Sequence, residues 1–97
     1  MSEPALSKRV QRMRACLIEA LAPSELTIED ESHQHAGHAG ARDGRGPFRV
    51  RIVAAMFSGQ PLLARHRRVY AALGDMMQTD IHALALDARA PDEDHKD

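Results

Sequence analysis

The sequence predicts a small α+β domain in which helices cover one face of a three-stranded mixed sheet. Two segments of the 97-residue chain repeat apolar residues at helical spacing, and three others alternate apolar and polar residues as strands do. The segments follow one another in the order α-β-β-α-β. Because three strands with both faces in water are not stable, we expect the helices to bury one face and leave the other open.

The first helix and the first strand occupy the N-terminal third of the chain. The apolar stripe of the helix consists of Leu6, Val10, Met13, Leu17 and Leu21. Ala22-Pro23 ends this helix, because the proline ring and its missing N–H oppose a further turn. Leu26 and Ile28 then alternate with polar residues in a strand that runs to about Glu31.

A long loop over residues 32–47 follows the first strand. It holds four glycines, one proline and three histidines, and it has no valine, isoleucine or leucine. Loops of this length are commonly either functional or disordered. The second strand comes next, with Phe48, Val50 and Ile52 on one side and Arg49 and Arg51 expected to face water.

The rest of the chain predicts a helix, a third strand and a tail. The helix is expected from Pro61 to about Gln78, since proline suits a first helical turn. Its apolar stripe would be Leu62, His66, Val69, Leu73 and Met77. Its arginines, expected to turn mostly outward, are Arg65, Arg67 and Arg68. The third strand is expected from Ile81 to Asp87. Residues 91–97 are expected to form a charged, frayed tail. The whole chain, residues 1–97, is predicted to be a single domain with its core at about residues 6–90.

Composition excludes several classes of function. Cys16 is the only cysteine, so neither an intrachain disulfide nor a thiolate-only metal site can be built from this chain. No apolar run approaches the ~18 residues that span a bilayer, and the first residues lack a secretory signal pattern. No nucleophile constellation, phosphate loop or paired acid site is visible. We therefore expect a soluble, cytoplasmic protein that is not an enzyme and does not contact membranes.

Charge is distributed unevenly along the chain. Residues 42–68 hold seven arginines and one acid, a net charge of +6, whereas the whole chain carries −1. Candidate phosphate contacts in this segment are Arg49, Arg51, Arg65, Arg67 and Arg68. A solvated basic face is at least as good an interpretation, because the chain has only three aromatic residues for base stacking.

Topology predicts that histidines gather at one corner of the domain. Strands one and two are joined directly and should be antiparallel, whereas strand three follows a helical crossover and should lie parallel to strand two. His82, the second residue of strand three, should then stand near the loop that carries His33, His35 and His38. Imidazole is a ligand for zinc, copper, nickel and iron. The alternative is that the loop histidines are solvated and His82 caps a strand edge.

Two other residues are interpreted structurally. His66 lies in the apolar stripe of the second helix, where a lone histidine is more often a core residue than a ligand. Cys16 lies one position off the stripe of the first helix and is expected to pack as a small apolar group.

Several segments resemble the BolA family. FSGQPLLARHRRVYAAL, followed by IHALAL, is similar to that family's pattern F-x-G-x-x-x-x-x-R-H-R-x-V-Y and H-A-L. EDESHQHAGH resembles its acidic strand end with E-S-x-x-H, and FRVRIV its second strand. The resemblance covers roughly Leu6 to Ala90. It implies a KH-like fold of class II, with the same α-β-β-α-β order.

The resemblance also implies a function. BolA-like proteins pair with monothiol glutaredoxins and share a [2Fe-2S] cluster, in iron–sulfur trafficking or iron regulation. His35 matches the loop ligand of histidine-type members and His82 the ligand of H-A-L, with His33 and His38 as alternative loop ligands. Thiolates would come from the glutaredoxin and its glutathione, so no tightly bound cluster is expected on the isolated chain. Pro47 stands where the family often has a further histidine.

Two rival hypotheses remain at this stage. The resemblance also allows a DNA-binding transcriptional regulator that uses the arginine-bearing strand and helix, although the SGQP turn lacks the G-x-x-G that clamps nucleotides in KH domains. A zinc or copper sensor that uses the loop is the other. The sequence leaves open the physiological partner and whether the chain forms a homodimer without one.

Overall fold

The computed structural model of the chain describes residues 6–31 and 46–94. Its elements are α1 (Leu6–Leu21), β1 (Glu25–Asp30), β2 (Gly46–Val53), a 3-10 turn (Ala55–Phe57), α2 (Leu62–Leu73), α3 (Met76–Thr79), β3 (Ile81–Arg89) and α4 (Pro91–Asp94). The predicted α+β class and element order are confirmed, with two short helices added.

The three strands form one mixed sheet in the order β1-β2-β3. β1 runs antiparallel to β2, and β3 runs parallel to β2 as the helical crossover predicts. Ile28, Val50 and Leu86 lie opposite one another across the three strands. Because β2 is the central strand, its inward residues are buried while Arg49 on the other face is exposed.

The helices bury one face of the sheet. The core joins α1 residues to β2 residues and to the 3-10 turn, and its largest fully buried side chains include Met13, Leu17, Phe48, Ile52 and Phe57. The predicted stripe of α1 is confirmed for Met13, Leu17 and Leu21, with Val10 partly buried beside them. The side chain of Leu6 lies outside the described residues.

The end of α1 is fixed by a single residue in the left-handed region. Ala22 has φ +46°, and its N–H donates to the carbonyl of Ile18 at 3.0 Å. This is the usual way to close a helix, although glycine normally takes the position. Pro23 cannot continue the helix, so the predicted stop at Ala22-Pro23 is confirmed.

The second predicted helix is divided and rotated. Gly74, at φ +55°, closes α2 by donating to the carbonyl of Tyr70, so residues 76–79 form a separate turn of helix. The prediction of a buried stripe through Leu62 and His66 is wrong. Leu62 is 62% exposed and His66 is half-buried, because the inward face of α2 carries Arg65, Val69 and Leu73.

Strand boundaries and the tail also differ from the predictions. β2 begins at Gly46, so the predicted loop ends two residues early, and β3 continues past Asp87 to Arg89. Pro47 is tolerated in the central strand because it stands beside a bulge. The frayed tail is wrong for residues 91–94, which form α4, and residues 95–97 lie outside the described part. No helix within residues 6–31 and 46–94 is long and apolar enough to cross a membrane.

Candidate functional site

Both ends of the histidine loop are held at the end of the sheet where β3 begins. The N–H of Glu31, the last described residue before the loop, donates to the carbonyl of Pro47 at 2.9 Å. The N–H of Gly46, the first described residue after it, donates to the carbonyl of Asp80 at 3.0 Å. His82 follows Asp80 by two residues. We call this region, residues 31, 46–47 and 80–82, the His82 corner.

A β-bulge sets the direction of His82. Gly46 lies opposite Ile81 and Pro47 lies opposite Ala83, so His82 is the extra residue of β3. Bulges of this kind redirect side chains and are common beside functional sites. Ile81 is buried, but His82 and Ala83 are both exposed, because the bulge breaks the alternation of the strand. The imidazole of His82 is therefore available to a ligand or a partner.

Asp80 anchors the His82 corner to α1. Its Oδ2 accepts from Arg12 Nη2 at 2.7 Å and lies 3.2 Å from Arg9 Nε, while its Oδ1 accepts from the hydroxyl of Thr79 at 2.6 Å. The hydrogen bond from Thr79, followed by that from Arg12, lowers the pKa of Asp80 below its usual value. The chain is thus fixed immediately before the bulge.

The loop histidines His33, His35 and His38 lie outside the described residues, so their predicted proximity to His82 stays a prediction. Within residues 6–31 and 46–94, no three or more His, Cys, Asp or Glu side chains form a group that could hold a metal ion. A metal site built on His82 would therefore need ligands from the loop or from a second molecule.

His66 and Cys16 have structural surroundings. The ring of His66 meets that of Tyr70 edge to face, with centroids 6.5 Å apart, on the partly exposed side of α2. The expectation that His66 is a core residue is therefore wrong. Cys16 is a free, half-buried thiol packed against the core, as predicted.

The arginines of the open sheet face are paired with acids. Arg49 Nε lies 3.1 Å from Glu31 Oε2 and 3.9 Å from Glu29 Oε1. Arg51 Nη1 lies 3.0 Å from Glu25 Oε1. Both arginines face the open side of the sheet as predicted, but their charge is balanced by neighbouring glutamates. This face is a poorer phosphate-binding surface than the arginines alone suggested.

Arg65 is buried, and the prediction that it turns outward is wrong. Its side chain is at the centre of a set of hydrogen bonds that we call the Arg65 clasp. Nε donates to the carbonyl of Gln60 at 2.7 Å, and Nη1 donates to the carbonyl of Ala88 at 3.1 Å. Nη1 and Nη2 also bind the two carboxylate oxygens of Glu93, at 2.6 and 2.8 Å. A paired, hydrogen-bonded guanidinium is the form in which arginine tolerates burial.

Glu93 closes the clasp from α4. Its Oε1 also accepts from the N–H of Ala90 at 3.2 Å, so the carboxylate joins the end of β3 to α2. The Arg65 hydrogen bond, together with that from Ala90, lowers the pKa of Glu93 to about 2. Sequence periodicity missed this residue. Pro91 followed by acids is nevertheless a signal for a helix start, and it marks α4.

The remaining candidate arginines are exposed. Arg67 and Arg68 point away from the core, and Arg68 Nη1 contacts the sulfur of Met56 at 3.8 Å. Neither forms an ion pair with an acid of the described chain. Of the five predicted phosphate contacts, these two keep an unbalanced charge.

A family model described as BolA-like protein matches residues 17–93, which include both strands of the His82 corner and the Arg65 clasp. The chain belongs to the BolA family. The resemblance stated from sequence motifs is therefore confirmed, and the BolA-like part runs from Leu17, near the end of α1, to Glu93.

Relatives of known name support the same assignment. The chain is 45% identical over 92 residues to the chloroplastic protein BOLA1 of Arabidopsis thaliana, covering 92% of this BolA-family chain and 58% of the relative. It is 44% identical to SufE-like protein 1 of the same plant, covering 25% of that protein. Human BolA-like protein 1 is 42% identical over 79 residues. The chain thus spans little more than half of the first relative and a quarter of the second.

Solved structures confirm the fold. The BolA domain of SufE1 from Arabidopsis thaliana superposes with a TM-score of 0.78 at 39% identity, covering 95% of this chain and 99% of that one. BolA1 from the same plant gives a TM-score of 0.74 at 41% identity, with 88% and 94% covered. The BolA-family sheet and its helices are therefore those of known BolA domains.

Proposed function

We propose that this BolA-family chain is a non-enzymatic adaptor that binds a monothiol glutaredoxin and completes a shared [2Fe-2S] cluster, in iron–sulfur trafficking or iron regulation. His82 would supply one imidazole and His35 the other, with His33 and His38 as alternative loop ligands. The glutaredoxin and its glutathione would supply the thiolates. The bound cluster would supply iron ions that accept imidazole nitrogen as well as sulfur.

The observation that carries the proposal is the exposed imidazole of His82 beside both ends of the histidine loop. Glu31 and Gly46 are each hydrogen-bonded into the sheet at this corner. His35 is four residues beyond Glu31, and four residues span at most about 14 Å of extended chain. His35 is therefore within chain reach of a ligand bound at His82.

The metal-ligating side chains of the described residues fit a cluster whose ligands come from two molecules. His82 offers one exposed imidazole at the His82 corner. Cys16 belongs to α1 and packs against the hydrophobic core of the domain. A cluster at this corner would thus draw on sulfur from a second molecule. This is the ligand chemistry that a glutathione-bearing glutaredoxin offers.

The test is spectroscopic titration with a cluster-loaded monothiol glutaredoxin. We expect the visible absorbance and circular dichroism to change when the chain is added, because imidazole replaces a sulfur ligand. His82→Ala should abolish this change, and His35→Ala should weaken it strongly. His66→Ala is the matched control, since His66 lies on α2 against Tyr70, and it should titrate as the unaltered chain does.

Two results would count against the adaptor. One is a spectrum that stays unchanged on mixing. The other is a change that survives alanine at both His35 and His82. Replacing His33 and His38 one at a time in the same assay identifies the loop ligand if His35→Ala has little effect.

DNA binding is the alternative function, and Arg67 and Arg68 are the observation in its favour. Each is exposed without an acidic partner in the described chain. If DNA binds there, affinity should fall steeply with salt and should weaken on charge reversal at both positions. Absence of a gel shift with promoter DNA at low salt would remove this alternative.

A further inference from the structure

The start of α2 exposes large apolar side chains that the core does not use. Leu62 and Leu63 are 62% and 60% exposed, Tyr70 is 40% exposed, and Met56 in the preceding 3-10 turn is 38% exposed. Of the five large hydrophobic residues exposed in the described chain, four lie between positions 56 and 70. Such clustering on a small protein marks an interaction surface more often than chance exposure does.

These side chains lie on α2 and the preceding 3-10 turn together with two exposed arginines. Leu63, Arg67 and Tyr70 are spaced by four and three residues, so they share one side of the helix. Arg68 lies about 100° around the helix from Arg67, and its Nη1 contacts the sulfur of Met56 in the 3-10 turn at 3.8 Å. We call the surface the α2 patch: Met56, Leu62, Leu63, Arg67, Arg68 and Tyr70.

The charge of the α2 patch is positive and unbalanced. Residues 62–73, LLARHRRVYAAL, contain no acid and no lysine, whereas solvent-facing helix positions are usually charged with both signs. Several other surface arginines are paired with acids: Arg49 and Arg51 with glutamates, and Arg12 with Asp80. Arg67 and Arg68 have no such partner within residues 6–31 and 46–94. Exposed arginine, tyrosine and methionine without lysine or acid is the composition of the centre of a protein interface.

The start of α2 and the His82 corner lie at opposite ends of the strands. β2 starts at Gly46 in the His82 corner and ends at Val53, from which the chain enters the 3-10 turn and then α2. Seven strand steps at about 3.3 Å each separate these ends by roughly 23 Å. A small ligand bound at one end therefore does not have to contact the other end.

We infer that the α2 patch docks a second protein, one whose surface presents apolar side chains ringed by carboxylates. The two arginines require negative charge, and the two leucines require apolar surface. The phosphate backbone of duplex DNA satisfies only the first requirement, because it offers negative charge and no aliphatic surface. The inference does not rest on the cluster-binding proposal, since it uses a different end of the domain.

The test uses a probe of the stated chemistry, a fluorescein-labelled amphipathic peptide with leucines on one face and glutamates on the other. The full chain should bind it with an affinity that falls as salt rises. Amide resonances of residues 56–70 should shift during titration, while those of residues 80–83 should not. Leu62→Ser with Leu63→Ser should weaken binding about tenfold, as should Arg67→Glu with Arg68→Glu.

Matched controls come from α1. Ile18 is an exposed apolar residue and Arg14 an exposed arginine, so Ile18→Ser and Arg14→Glu change the same chemistry outside the patch. Both should bind within about twofold of the unaltered chain. The leucine double variant should retain its unfolding temperature and its response to cluster-loaded glutaredoxin. If the unaltered chain does not bind the peptide but still responds to cluster-loaded glutaredoxin, this inference is overturned and the proposed function is not.

The inference is also overturned if the peptide shifts resonances elsewhere, or if the leucine double variant binds it unchanged. Tighter binding of duplex DNA, or of vesicles with equal phosphatidylcholine and phosphatidylglycerol, through the same leucines would replace the protein partner with another class.

Discussion

The two ends of the sheet are built in opposite ways. Where β2 and β3 end, the Arg65 clasp joins three segments of chain through a buried guanidinium, and Ala88 and Ala90 are buried beside it. Where β3 begins, the bulge turns His82 into solvent and the loop enters and leaves the sheet. The first end holds the fold together, and the second presents the candidate ligand. Substitutions at the two ends should therefore separate stability from binding.

The largest expected effect is the loss of stability in Arg65→Ala. Removing the guanidinium leaves the carbonyls of Gln60 and Ala88 without their donor and Glu93 without its partner. Breaking such a buried set costs about 3 kcal/mol, which lowers the unfolding temperature of a domain this size by about 15 °C. Thermal and urea unfolding followed by circular dichroism measure both quantities.

Two further variants sharpen this prediction. Arg67→Ala removes the same kind of side chain two residues away on the exposed side of α2, and it should change stability by less than about 0.5 kcal/mol. His82→Ala should be equally mild, because its imidazole is exposed at the bulge. A stability loss in His82→Ala as large as that in Arg65→Ala would show that the contrast between the ends is false.

Acid should weaken the clasp over a defined range of pH. The pKa of Glu93 falls from its ordinary 4.5 to about 2 in the folded chain. Its contribution is therefore fully present above pH 4.5, and it is lost as pH falls from 4.5 towards about 2, where the folded state also takes up the proton. Glu93→Gln removes this contribution at neutral pH, so its unfolding temperature should lie below that of the unaltered chain.

The difference in unfolding temperature between Glu93→Gln and the unaltered chain should shrink as pH falls from 4.5 towards about 2. Asp80, whose pKa is also lowered, remains in both proteins and loses its own contribution at low pH in each. Thermal unfolding at a series of pH values measures the difference directly. A gap between the two unfolding temperatures that stays constant from neutral pH to pH 2 would rule out the ionised Glu93 as the source of the clasp's stability.

The contrast also explains what the sequence could predict. The alternation of β2 and the spacing of α1 follow from apolar burial, so strand order, directions and most of the core were predictable. The position of His82 followed from the crossover rule, because a parallel β3 must begin where the loop leaves. The bulge that exposes His82 was not predictable, since it depends on the pairing of Pro47 with Ala83.

The clasp was hidden for a different reason. Periodicity treats charged residues as solvent-facing, so Arg65 was assigned outward and Leu62 inward. In the folded chain Arg65 faces inward beside Val69 and Leu73, where it binds the carboxylate of Glu93, 28 positions further along, and two backbone carbonyls. Local patterns contain no information on such a long-range pair. Leu62, which was predicted to face inward, is instead exposed and belongs to the α2 patch.

The open sheet face between the two ends should contribute far less to stability than the Arg65 clasp does. The side chains of Arg49 and Arg51 are 58% and 38% exposed, and those of their partners Glu31 and Glu25 are 20% and 56% exposed. Exposed pairs of this kind contribute about 0.2–1 kcal/mol each, so Arg49→Gln and Arg51→Gln should lower stability only slightly in urea unfolding. High salt should erase the difference, because it screens surface pairs but leaves the buried clasp intact. A loss of stability that persists in high salt and equals that of Arg65→Ala would mean that the open sheet face stabilises the domain as much as the Arg65 clasp does.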